Sequence, residues 1–399
     1  MRKVLSFSLF LMLGLVASQL LPGLLGANYA LLKGTTDTLL YVCLGFIMIN
    51  VGREFEIDKS RWRSYTADYF IAMATAALPW LLIVLYYIFV LLPPGLWGSP
   101  EAWKENLLLS RFAAPTSAGI LFTMLAALQL QKSWIYRKIQ VLAIFDDLDT
   151  ILLMIPLQIL MIGLKWQMFA IVGVVILLLA AGWRWQATWD VRQDWKRILG
   201  LSILVCAVTQ GLYLATARWY GPENSIHIEV LLPAFVIGML MRHRHLDTPT
   251  ERRIATGISF LFMLLVGLSM PLVTGAAGDA AAAAATSVTG SQPMMPWGIV
   301  VLHVVAVSLL SNLGKLVPLF FYRDRKPSER LALSVGMFTR GEVGAGVIFI
   351  ALGYNLGGPA LIISVLTLVL NLILTGGFVV WVRRLALRSS TPEQPSIHG

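Results

Sequence analysis

Residues 141–152 read VLAIFDDLDTIL, a stretch in which Asp146, Asp147 and Asp149 stand inside an apolar run with no Lys or Arg beside them. The run continues on both sides, from Ile139 to Leu164, long enough to span a bilayer as a helix. A charge at mid-membrane costs about 3 kcal/mol on insertion scales, so an ionisable residue there implies function by default. Three carboxyl groups within one helical turn make a purely structural span an implausible reading.

The rest of the chain has the same character. It is 57% hydrophobic and 13% charged over 399 residues, with mean hydropathy +0.75, whereas about a quarter of a soluble domain is charged. Long apolar runs predict an all-α polytopic membrane protein of about twelve spans. The first six are Val4 to Leu25, Thr38 to Val51, Thr66 to Leu92, Glu105 to Leu130, Ile139 to Leu164 and Met168 to Trp183. The last six are Ile198 to Ala217, Ile228 to Met241, Ile254 to Val273, Trp297 to Tyr322, Leu331 to Leu352 and Pro359 to Val382. Cys43 and Cys206 fall inside apolar runs and read as small core residues.

Charge sets the orientation, because Lys and Arg of short loops stay on the cytoplasmic side. With the N-terminus inside, only Lys33, Lys104, Lys165 and Arg218 of the 31 basic residues fall in outer segments, and Arg111, Lys315 and Arg340 fall within spans. All others face inward, so both termini are expected in the cytoplasm. Topology and anionic-lipid contact thereby explain the net charge of +10, and no nucleic-acid partner is needed. Met1 to Ala30 also has the layout of a signal peptide; its removal would leave the remaining topology unchanged. The stretch Gly275 to Gln292, rich in Ala, is expected to be a mobile outer loop.

Asp146 and Asp147 lie about eight residues from the inner end of span five, roughly 12 Å at 1.5 Å per residue. Like charge close by and exclusion of water both favour the protonated carboxyl. The pair is therefore able to hold protons near neutral pH and release them when a cation arrives. Lys315 in span ten lies at matching depth, and a Lys315–Asp146 ion pair is geometrically reasonable; such a Lys is also able to shed a proton when the pair opens. Asp149 sits near the face of Asp146 and away from Asp147, so one ion does not readily touch both. His303 reads as a packing or interfacial residue.

Two spans carry breakers at mid-depth: Ala114-Pro115-Thr116-Ser117 in span four and Thr339-Arg340-Gly341-Glu342-Val343-Gly344 in span eleven. The first span enters from outside and the second from inside. Breaks at corresponding depths in inverted halves are the pattern of inverted-repeat transporters, whose interrupted helices surround a midplane ion site. Arg340 and Glu342 are expected to neutralise charge in the core with each other or with Asp149 and Arg111.

With these residues in view the chain resembles the cation/proton antiporter superfamily over nearly its whole length. VLAIFDDLDTIL, residues 141–152, looks like the paired-aspartate helix of electrogenic sodium/proton antiporters. MFTRGEVGAGV, residues 337–347, looks like the broken helix of the superfamily's second branch. Weaker echoes are NVGREFEID at 50–58, LPAFVIGML at 232–240 and FLFMLLVGLSM at 260–270. The resemblance implies two crossed broken helices, a homodimer and a bacterial inner-membrane location. It also implies a moving core, 65–164 and 297–384, against a scaffold and dimerisation part, 1–64 and 168–273, with an outer loop at 274–296 and a cytoplasmic tail at 385–399.

By the same resemblance Asp147 is the main ligand for Na+ (or Li+ or K+), with Asp146 as its partner and Lys315 paired to Asp146. Thr116 and Ser117 supply oxygens from the unwound segment, supported by Pro115, Gly341, Glu342 and Gly344. Asp149 and Phe145 depart from the family pattern and bear on ion selectivity. The residues imply no enzyme chemistry and no cofactor, only exchange of a monovalent cation for protons. Two rivals are sodium-coupled uptake of an organic anion, which calls for a larger polar cavity, and a non-transporting sensor or assembly subunit, for which Asp147→Asn would be silent.

Overall fold

The computed structural model describes residues 2–26, 29–54, 62–128, 130, 133–162, 166–189, 194–220, 228, 230–241, 248–270, 287–293, 295–354 and 356–390. Among them every regular element is helical, apart from an isolated bridge between Trp189 and Met241. In chain order the helices are α1 (Arg2–Leu25), α2 (Tyr29–Glu54), α3 (Trp62–Tyr86), α4 (Pro100–Leu109), α5 (Ala118–Ala127), α6 (Trp134–Ile162), α7 (Trp166–Arg184) and α8 (Trp195–Tyr220). They continue as α9 (Leu231–Leu240), α10 (Pro249–Leu268), α11 (Trp297–Gly314), α12 (Val317–Phe320), α13 (Pro327–Gly336), α14 (Glu342–Gly353) and α15 (Gly358–Ser390).

Local chemistry sets several of these boundaries. Thr248 and Glu251 form a reciprocal capping box with Pro249 in the first turn of α10, which satisfies amide groups that have no partner within the helix. Ser99 caps α4, again ahead of a proline. Helix α3 ends in a π-helical turn, Tyr87–Leu91, ahead of Pro93 and Pro94.

Seven helical segments among the described residues are long and apolar enough to cross a membrane. Polarity is arranged inside out relative to a water-soluble protein. Leu5, Leu9, Leu13, Val16 and Leu20 line an exposed face of α1, and Val301, Leu302, Val305, Leu309 and Leu313 are exposed on α11. Arg111, Arg340 and Lys315, by contrast, are among the largest fully buried side chains. Apolar faces of that extent require lipid as solvent, and the chain is a multi-pass membrane protein.

Two compact units divide the chain. The first comprises Met1–Leu5, Thr66–Asp147 and Ala280–Gly399; the second comprises Ser6–Tyr65 and Leu148–Asp279. Within the second, α2 packs on α8, α9 and α10, and α7 packs on α9. Within the first, α15 packs on α11 and α13, and α14 lies against the 3-10 turn Ser110–Ala113.

Three expectations change. The last helix is longer than the expected span, which ends at Val382: α15 runs unbroken to Ser390, with no proline between Pro359 and Pro392. Span ten is not continuous but is interrupted at Lys315 and Leu316, between α11 and α12. The end of the expected outer loop is packed: Ser287 and Thr289 are buried, and the Glu105 carboxylate accepts from the Val288 and Thr289 amides at 2.9 and 2.7 Å and from the Thr289 hydroxyl at 2.9 Å. Residues 271–286, which include the alanine run, and 55–58 of the 50–58 stretch lie outside the described residues.

Candidate ion-binding site

The two breaks meet inside the first unit. Helix α4 ends in the 3-10 turn Ser110–Ala113, and the chain runs through 114–117 before α5 begins. Pro115 contributes no amide donor there and biases the residue before it away from helix. Ser117 is extended (φ −74°, ψ 94°) and its hydroxyl accepts from the Ile120 amide, capping α5. On the other side, α13 ends at Gly336 and α14 begins at Glu342. The freed backbone groups pair across the gap, with the Ser117 amide donating to the Thr339 carbonyl at 3.1 Å and the Thr116 hydroxyl to the Met337 carbonyl at 3.2 Å. The approach requires glycine: a Cβ on Gly341 would stand 2.9 Å from Ser117 Oγ and 2.7 Å from Ile120 Cδ1, and one on Gly344 would stand 2.9 Å from the Phe112 carbonyl oxygen.

Asp146 reaches this junction from α6. Its Oδ2 accepts from the Thr116 backbone amide at 2.6 Å. The Lys315 ammonium donates to Asp146 Oδ1 at 3.0 Å and Oδ2 at 3.1 Å, and to the Thr116 hydroxyl at 3.1 Å. Both side chains of the pair are 0% exposed. Lys315 lies at the C-cap of α11, where a cation is favoured by the helix dipole.

Asp147 is buried next to Asp146, about 100° further around α6. Arg340 is buried and donates to the Met337 carbonyl at 3.0 Å, the Thr339 carbonyl at 3.4 Å and the Ser311 carbonyl at 3.5 Å. It thereby satisfies carbonyls that the break strips of helical partners. Arg111 is fully buried with its guanidinium 4.9 Å from the Trp80 ring centroid. Asp149 is buried in the second unit, and Glu342 is described by its backbone alone, as the first residue of α14.

A fully buried carboxylate–ammonium pair thus stands against unwound backbone where two interrupted helices meet. No protein-family model matches the sequence, and no curated protein matches it. Among solved structures the chain is similar to the sodium proton antiporter MjNhaP1 from Methanocaldococcus jannaschii, solved at pH 8, at 15% identity and a TM-score of 0.56, covering 93% of this chain and 92% of that one. The likeness spans both chains nearly end to end, and it establishes the fold.

Sequence reasoning missed the interruption at Lys315, for which Pro318 was the available signal, and missed Met337, Thr339 and Ser311, which act through backbone carbonyls. A carbonyl leaves no trace in side-chain identity.

Proposed function

We propose that this protein exchanges a monovalent cation, Na+ first and Li+ or K+ as alternatives, for protons by alternating access. The observation that carries the reading is the buried Asp146–Lys315 pair lodged on the Thr116 backbone. A carboxylate with this neighbourhood has three ways to balance its charge: the Lys315 ammonium, a proton, or a metal cation. Binding a cation at Asp147 and Asp146, with the Thr116 oxygen as a further ligand, displaces the proton and loosens Lys315. Protonation reverses the sequence. Exposing the same group to one side of the membrane and then the other converts that competition into antiport.

Two titrating carboxyls per cation make the exchange electrogenic. In this reading residues 65–164 and 297–384 are the moving core and 1–64 and 168–273 the scaffold, the protein works as a homodimer in a bacterial inner membrane with both termini in the cytoplasm, and the activity suits pH homeostasis. Arg340, Arg111 and Asp149 balance charge while the core moves. The fold likeness to a sodium proton antiporter supports the substrate pair.

The test is purified protein in proteoliposomes with an internal pH dye, challenged in turn with sodium, lithium and potassium. The wild type gives a cation-evoked pH change and Asp147→Asn does not. A silent wild type, or an unimpaired Asp147→Asn, refutes the reading.

A further inference from the structure

A second buried carboxylate in the first unit is gripped by two donors. Asp68, on α3, is 1% exposed. Its Oδ1 accepts from the Tyr322 hydroxyl at 2.7 Å, and its Oδ2 forms an ion pair with the Lys138 ammonium. The same ammonium stands 5.1 Å from the Tyr322 ring centroid. Trp134 meets that ring edge-on at 5.8 Å, and the Arg325 guanidinium lies 4.8 Å from the centroid of the Trp134 ring. Tyr322 holds φ at 51°, a left-handed conformation that is strained for a bulky residue and persists only where the surroundings fix it.

The two anchors have a common feature. Lys138 belongs to α6, about 12 Å along the helix from Asp146, and Tyr322 follows Lys315 by two turns' worth of chain, beyond the interruption and α12. One carboxylate thus ties down both segments that carry the two halves of the candidate ion pair. A buried salt bridge adds little net stability, and its best-attested use is to fix register.

We propose that Asp68 is a positioning residue for the Asp146–Lys315 pair, a clasp that sets the placement of α6 against the Lys315 segment. Opening the clasp lets Lys315 leave Asp146 more often.

The test measures amine labelling of Lys315 by a membrane-permeant active ester, quantified by peptide mass spectrometry, and does not depend on transport. Loss of one hydrogen bond of ordinary net strength predicts labelling of Lys315 faster by about fivefold in Asp68→Asn, with a smaller rise in Tyr322→Phe, which leaves the Lys138–Asp68 ion pair in place. Lys138 labelling rises in Asp68→Asn as the sign that the clasp has opened. If Lys138 responds and Lys315 does not, the proposal is wrong. Should Asp68→Asn fail to fold, Tyr322→Phe alone decides, an unchanged Lys315 rate refuting the clasp.

A kinetic arm rests on the antiport reading. With Lys315 competing less well for Asp146, the apparent KM for sodium falls by about fivefold in Asp68→Asn, and this effect vanishes in a Lys315→Met background. Additive effects contradict the clasp, since a residue acting only on overall stability shifts both backgrounds alike. A wild type inert to cations refutes the antiport reading, and the labelling arm still decides the clasp.

Discussion

Replacing Lys315 by Met keeps the length and apolar stem of the side chain and removes its charge. In the wild type the ammonium and carboxylate are 3.0 Å apart and wholly buried; at an effective dielectric near 20, Coulomb attraction over that distance is about 5 kcal/mol before desolvation. Removing one partner of a buried pair costs about 3–5 kcal/mol, because the remaining charge is stranded. Asp146 then keeps its hydrogen bond from the Thr116 amide, and it escapes the cost by taking up a proton or a cation. The Lys315→Met variant is therefore expected to melt earlier than wild type in detergent at alkaline pH without sodium, and to recover on adding sodium or lowering the pH. A ligand at a hundred times its dissociation constant stabilises by about 2.7 kcal/mol, enough to restore most of the loss. The assay is intrinsic-fluorescence melting across a sodium series at two pH values, with choline as the control. A variant as stable as wild type, or one indifferent to both sodium and pH, refutes the view that Asp146 chooses among ammonium, proton and cation.

Gly341→Ala is expected to lower thermal stability by about 1–3 kcal/mol, the usual cost of overpacking, because its Cβ would meet Ser117 and Ile120 at 2.7–3.0 Å; a melt identical to wild type contradicts the close meeting of the breaks. Glu105→Gln replaces one of the two carboxylate oxygens that accept three hydrogen bonds with an NH2 group that cannot accept. About 1–3 kcal/mol of charge-assisted bonding is at stake there, so limited proteolysis within 271–292 is expected to accelerate severalfold, and an unchanged rate contradicts an anchored turn.

How far the sequence reaches depends on what kind of physics a feature obeys. Hydropathy is local, so the spans were legible, and so were the breaks, since Pro115 and the Gly341–Gly344 segment act on the backbone where they stand. Depth along a helix is also local, and measuring it from the basic inner ends placed Lys315 level with Asp146, where the structure shows the pair in contact. Partners are not local. Arg340 reads in the sequence as a charge to be neutralised, and the fold adds that it donates to the carbonyls of Met337, Thr339 and Ser311. Asp68 lies close to the inner end of its expected span, and only the fold brings it to Tyr322, 254 positions away in the chain. Glu105 likewise opens its expected span as an ordinary polar boundary, and its grip on the turn at 288–289 is a tertiary fact.

The central claim is that proton and cation compete for the same buried carboxyls. Purified protein in weakly buffered detergent, titrated with sodium at constant ionic strength while a pH indicator reports, measures that competition without a membrane or a gradient. Saturating release of one to two protons per chain is expected, reduced in Asp146→Asn and abolished in Asp147→Asn. Sodium binding detected by melting or calorimetry with no proton released would contradict the account.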